Sequence, residues 1–412
     1  MERRGKMKVT KVEVLQIKTV SPGWRPVVCR VYTDEGIYGD GEACLAFGKG
    51  SSAAFGMVRD LASMLIGEDP MDTERIWQKL YEGSTWGYNG GPVVFAGISA
   101  LDIALWDIKA KVFGVPVYKL LGGKTRDSVR AYASQLQHGW RPDLFTFDEF
   151  DVAVGLDDYA ACAKCAIDEG FDAVKVDLLE REDNGDRLAP WKQNSILTGD
   201  ILKLADDRMR VIRETVGPDV SIIVEAHSHN SATGAVQIAN ALEKYDVFFY
   251  EEPNTPNPET AKYIAAHTNV PMASGERIYS RWQFAPYLKD GTLRVIQPDI
   301  GSAGGFTEVK KICDMAMTYD VFVQPHVCGT PLATSIALQL EAVIPNFIIH
   351  EHNSNLRSKS ATGLTKYNPQ PVKGRLAIPE EPGIGNELTE GAYEQASCIA
   401  TITKDENSLV TK

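Results

Sequence analysis

Between Val220 and Asn230 the chain reads VSIIVEAHSHN, an apolar run that stops at a glutamate and two histidines. In a strand, residues two apart point to the same side, so Glu225, His227 and His229 would project together. Such a group suits a metal or acid–base site, and it also fits a strand leaving a core for solvent. The pattern recurs. VFFYEEP carries Glu251, PMASGE ends at Glu276, LRVIQPD at Asp299 and VFVQPH at His326, while FIIHEH surrounds Glu351, at steps of 23 to 27 residues. His138, His227, His229, His326, His350 and His352 fall at or just past such ends, and only His267 lies elsewhere. Solvated strand ends alone explain one or two of these, not a carboxylate or imidazole at nearly every one.

Glu225, Glu251 and Glu276 are expected on three successive strands about 5 Å apart, where their carboxylates would converge. Three like charges in one place need a cation, unless each is splayed toward a Lys or Arg. All-oxygen ligation suits a hard ion, Mg²⁺ first. On the next two strands Asp299 is expected to face His326. A carboxylate bonded to an imidazole fixes its tautomer and raises its basicity, as a general base requires.

The elements that must position these groups are legible around them. Helically patterned stretches such as SATGAVQIANALEKY and GFTEVKKICDMAMTYD separate the apolar runs. Short apolar runs alternating with helices imply βαβ units and a parallel sheet. FDAVKVD and VRAYASQ supply two further strands, giving a (β/α)7–8 TIM-type barrel in the α/β class over residues 126–360, with its chemistry at the strand ends. Residues 1–125 read as an α+β capping domain. Residues 361–412, rich in Pro and Gly at first, read as a segment that packs back on that cap.

Composition narrows the function classes. The 412 residues carry a net charge of −12 with no Lys/Arg-rich stretch, which argues against nucleic acid as a partner. With no leader-like or long apolar segment, a cytoplasmic protein without membrane contact is expected, and Met7 is a candidate natural start. The seven cysteines are odd in number and scattered, as for reduced thiols, and the CxxC of Cys162 and Cys165 sits in an amphipathic helix without a second pair at zinc spacing. GSAGG (Gly301–Gly305) lacks the Lys-Ser/Thr of a phosphate loop and reads as a tight turn.

ALDIALWDIKAKVFGVPVYKLLGG (Ala100–Gly123), YEEP, SGER, QPDIGSAGG and PH, in this order and spacing, resemble the signatures of the enolase superfamily, in particular its mandelate racemase-like branch. The resemblance implies Mg²⁺-assisted removal of the proton α to a carboxylate. Carried over residue by residue, Glu225, Glu251 and Glu276 would ligate the metal. His326 would be the base with Asp299 as its orienter, and Glu351 would hydrogen-bond the developing enediolate. Two positions depart from the pattern. Asp177 stands where such enzymes often carry a second base lysine, which argues against two-base racemisation, and Glu225 stands where aspartate is commoner. His227 matches the general acid of galactonate dehydratase-like acid-sugar dehydratases, or else only bonds substrate.

The implied reaction is β-elimination of water from a small sugar acid, an aldonate such as galactonate or gluconate, or an aldarate. Lys175 would touch the substrate's carboxylate or hydroxyls. Arg277 would do the same or form a structural ion pair, while Asp177 is a further substrate contact. Trp24 and Arg25 lie where capping loops would close over the site. A homo-oligomer is expected. The rival readings are an epimerase or cycloisomerase of the same superfamily and, from another class, a non-catalytic sugar-acid binding protein.

Overall fold

The computed structural model describes residues 6–19, 23–138, 140, 152–358 and 360–412. Near the N-terminus, β1 (Val9–Ile17), β2 (Val27–Thr33) and β3 (Tyr38–Ala43) form an antiparallel sheet. The turn between β2 and β3 ends at Gly36, whose φ of +77° only glycine adopts freely. The helix Pro92–Phe113 lies directly on β3, and glycine is what permits it. A Cβ on Gly39 or Gly41 would stand 2.1 Å from Ala104 O or 2.0 Å from Ala100 O. Val12, Val14, Cys29 and Val31 meet Ile98, Leu101 and Leu105 of this helix in the core of the cap.

Eight parallel strands follow: β4 (Ser128–Ser134), β5 (Ala173–Asp177), β6 (Ser221–Glu225), β7 (Val247–Glu251), β8 (Met272–Ser274), β9 (Val295–Ile296), β10 (Phe322–Val323) and β11 (His350–Asn353). From β4 to β10 each pairs with the next in sequence, and β11 returns to β4. Val323 of β10 exchanges hydrogen bonds with Asn346 and Ile348, just before β11, which closes the ring. All seven connections between these strands carry a helix of eight or more residues; that between β10 and β11 is Pro331–Glu341. The eight-stranded barrel read from the sequence is the fold.

Alternation then builds the interior in layers. Tyr132, Ala173, Ile223, Phe249, Ala273, Val295 and Ile349 form an apolar floor inside the barrel. Two residues further along the same strands stand Ser134, Lys175, Glu225, Glu251, Gly275, Gln297 and Glu351. This second layer is polar and holds Lys175 with three glutamates.

The chain ends with β12 (Arg375–Ala377), which pairs with β4, and with β13 (Ala396–Thr403) and β14 (Asn407–Thr411). β13 runs antiparallel to β1, so the cap sheet has the order β14-β13-β1-β2-β3. Asp107 accepts from Ile384 N–H at 2.9 Å and Asp40 from Leu388 N–H at 2.8 Å, tying the final segment to the cap.

Cap and barrel meet through buried carboxylates at helix N-termini, where free N–H groups and the helix dipole favour an anion. Asp102 accepts from Thr307 N–H (3.0 Å) and Oγ1 (2.6 Å) on the helix Gly305–Thr318. Glu42, beside the end of β3, accepts from Thr330 N–H (2.9 Å), Thr330 Oγ1 (2.6 Å) and Ala333 N–H (3.2 Å) at the helix Pro331–Glu341. These helices follow β9 and β10, the strands that lead to Asp299 and His326.

Candidate active site

Lys175 is the centre of the charged layer. Its buried ammonium lies 2.6 Å from Glu251, 2.8 Å from Glu351 and 3.2 Å from Glu225. Burial alone would lower its pKa, but Glu251, Glu351 and Glu225 hold it well above the usual lysine range. Asp177, Glu225 and Glu251 stand side by side in register at the ends of β5, β6 and β7. Glu276 lies two residues beyond β8. Gly275 makes that approach possible, because a Cβ there would sit 2.6 Å from the Gln297 backbone.

Glu225, Glu251 and Glu276 each offer an oxygen within 4.8 Å of the others. Glu251 Oε2 is buried and accepts no hydrogen bond among the described residues, while Glu225 Oε2 is buried with the Lys175 ammonium 3.2 Å away. Buried carboxylate oxygens gathered this closely, one of them without a hydrogen-bond partner among the described residues, are what a hard divalent cation would satisfy, so the donor set fits such an ion. Burial and then Glu225 push the Glu251 carboxyl well upward.

Two imidazoles border the trio. His326 Nδ1 lies 2.7 Å from Asp299 Oδ2 and its Nε2 lies 3.2 Å from Glu276 Oε2. Burial disfavours its charged form, yet Glu276 and Asp299 raise its pKa well above the ordinary histidine value. Asp299 keeps its other oxygen on Gly301 N–H at 2.7 Å, inside the turn read from GSAGG. His227 Nδ1 lies 2.8 Å from Asp177 Oδ2 and its Nε2 lies 3.2 Å from the Gln135 amide. Burial opposes its charge as well, but Glu225 and Asp177 raise its pKa to about 10.

His227 does not reach the site by strand alternation. β6 stops at Glu225, and His227 and Ser228 take φ of +44° and +63°, a left-handed turn in which His227 N–H donates to Glu225 Oε1 at 2.7 Å. The remaining histidines separate. His350 and His352, neighbours of the inward Glu351, face the outer helices; His350 bonds Glu341 at 2.8 Å, and burial pushes His352 down to about 3. His138 pairs with Glu180 at 2.7 Å.

Glu351 accepts from Ser134 Oγ (2.6 Å) and Val327 N–H (2.9 Å) besides Lys175, and despite burial Lys175 and His326 bring its pKa down to about 2. Arg277 is ion-paired with Glu276 and, at 3.1 Å, with Glu252. Trp24 is buried with Ala46 and Ala361, its ring stacked 6.3 Å from Phe47, and Arg25 is partly buried beside it. Sequence reasoning missed Ser134, Gln135 and Glu252. The first two lie at the end of a strand that was read, which was signal enough. Glu252, second of the YEEP pair, points away from the trio and accepts from Ser274 Oγ (2.6 Å) and Gly275 N–H (3.1 Å).

Comparison with known proteins decides the family. Residues 8–122 match the mandelate racemase / muconate lactonizing enzyme N-terminal domain, and residues 158–392 match the enolase C-terminal domain-like family. This chain belongs to the enolase superfamily. A D-galactonate dehydratase of Ralstonia nicotianae is 33% identical over 95% of this chain and 94% of its own length. Another of Pectobacterium atrosepticum is 34% identical over 93% of each. The crystal structure of a member of the enolase superfamily from Salmonella Typhimurium superposes with a TM-score of 0.92 at 47% identity, covering 96% of this chain and all of that one. The relatives are hydro-lyases by name, and this chain is an enzyme of their superfamily. Among the described residues no helix is long and apolar enough to cross a membrane.

Proposed function

We propose that the protein is a Mg²⁺-dependent dehydratase of a small sugar acid, giving a 2-keto-3-deoxy acid, with galactonate the first substrate to test. The observation that carries this reading is the pair of Asp–imidazole couples bordering the three glutamates. They come from the ends of β6 and β10, four strands apart in a ring of eight, so they face the trio from opposite sides. A proton can then leave C2 on one side while the 3-hydroxyl is protonated on the other.

Mg²⁺ held by Glu225, Glu251 and Glu276 would stabilise enediolate charge and take up the Glu276 charge that now favours a protonated His326. His326 Nε2 removes the C2 proton, with Asp299 fixing the tautomer through Nδ1. His227 Nε2, steadied by Asp177 in the same way, protonates the departing hydroxyl. Lys175, the buried cation among the glutamates, contributes positive charge beside the developing enediolate, and Glu351 holds that lysine in place. For Glu351 to donate a hydrogen bond itself, it must first take up a proton.

Asp177 bonded to His227 speaks against the epimerase alternative, since the group at the second-strand position is already engaged. The D-galactonate dehydratases among the relatives favour an aldonate. Purified protein with Mg²⁺ is to be screened against aldonates and aldarates for 2-keto-3-deoxy product. One strong hit, abolished in His326→Asn, is the expected result. Exchange of the α proton with solvent deuterium without dehydration would replace this reading with epimerisation, and no exchange at all would mean either a substrate outside the panel or a binding role.

A further inference from the structure

His326 also borders a cavity between cap and barrel, lined among others by Glu42, Cys44, Asp299, Gly301 and Cys328. Two of these groups are thiols, and both line the cavity beside the His326 imidazole. Cys44 arrives from the cap, where its N–H donates to Gly301 O at 2.9 Å. Cys328 arrives from the barrel, two residues beyond His326. One atom each of Cys44, Asp299 and His326 lies within 4.8 Å of the others. These donors differ in kind from the all-oxygen trio nearby. Sulfur with imidazole suits soft, tetrahedral cations, whose bonds of about 2.0–2.3 Å would require these side chains to close by an ångström or so.

We propose that Cys44, Asp299 and His326, with Cys328 as a further ligand, form a second metal site for a thiophilic cation such as Zn²⁺ or Cd²⁺, and that its occupation inactivates the enzyme. Hardness sorts the two sites: Mg²⁺ goes to the glutamates, and the soft ion goes to the thiol side of His326. Burial and the Asp299 charge keep the Cys44 thiol protonated, so an incoming ion must displace that proton. Once His326 is a ligand, its lone pair is no longer free to accept a substrate proton. Only the inactivation rests on the dehydratase reading; the site itself does not.

The test uses full-length protein in excess Mg²⁺, titrated with Cd²⁺ while the ultraviolet thiolate-to-Cd²⁺ absorption is followed. The expected result is a saturable band that is lost in Cys44→Ser and kept in Cys165→Ser, which changes a partly buried thiol elsewhere. Cys328→Ser should weaken Cd²⁺ binding by about tenfold or more, and it carries the same test should Cys44→Ser fail to fold. No band, or a band indifferent to both substitutions, overturns the proposal. In the same buffer, Zn²⁺ should suppress dehydration in the unmodified protein and spare Cys44→Ser. Inhibition undiminished in that variant would count against the site as its cause. The absorption measurement needs no turnover, so it decides the site even if every acid tested proves inert.

Discussion

Asp177 and Asp299 each set one oxygen within 2.8 Å of an imidazole Nδ1, so the proposed chemistry falls to the two Nε2 atoms, which lie 3.2 Å from the Gln135 amide and from Glu276 Oε2. If the two couples divide the reaction as proposed, their variants should fail differently. His326→Asn should lose both α-proton exchange and dehydration, by about 10²–10⁴-fold for a general base. His227→Gln should retain exchange with solvent deuterium while losing dehydration by a comparable factor. Equal loss of both in His227→Gln would mean that this histidine serves the first step too. The expectation that Glu225, His227 and His229 project together from one strand fails for a local reason. Ser228 and His227 leave the strand region of the backbone, and the Glu225 carboxylate caps the turn that results.

The elements that carry these side chains are held by glycines and buried carboxylates that no strand or helix pattern displays. Gly41→Ala would press a methyl against the Ala100 carbonyl, so thermal unfolding should show a loss of roughly 1–3 kcal/mol, or more if β3 cannot shift. Asp102 carries a pH signature. Burial pushes its carboxyl up to about 7, so the folded state keeps a proton that the unfolded chain releases near pH 4. Its contribution is therefore complete below about pH 4 and is lost as the pH rises through about 7. Asp102→Asn should flatten the fall in stability over that window, measured as denaturant midpoints at several pH values; an unchanged slope would show that Asp102 does not govern it.

At the scale of the molecule, the charged layer is a destabilising feature that a cation would offset. Mg²⁺ should raise the melting temperature, with a stabilisation of about 2.7 kcal/mol at a hundredfold excess over its dissociation constant. EDTA should reverse the gain, and Glu251→Gln should be nearly indifferent to both; an equal Mg²⁺ response in that variant would move the ion elsewhere. The cap depends on both ends of the chain, since β13 pairs with β1 along most of its length. Removing residues 396–412 would bare the edge of β1, so that protein should lose soluble yield and expose sheet edge, as followed by light scattering.

By itself the sequence determined the eight-stranded barrel and the glutamates and histidine at its strand ends. Period-two alternation and the steps of 23 to 27 residues are local properties that survive without knowledge of the fold. The N-terminal α+β module was legible from its alternating runs and helical stretches, whereas the final segment was read only from its Pro- and Gly-rich composition. Only the tertiary structure decided which side each polar group faces and what it meets. It turned His350 and His352 outward, bonded Asp177 to His227, spent Arg277 on two glutamates and brought Cys44 from the cap to His326. Asp177 and His227, Arg277 and Glu252, and Cys44 and His326 lie tens to hundreds of residues apart, and their distances are set by barrel closure and by the docking of cap on barrel, neither of which leaves a periodic trace in the chain.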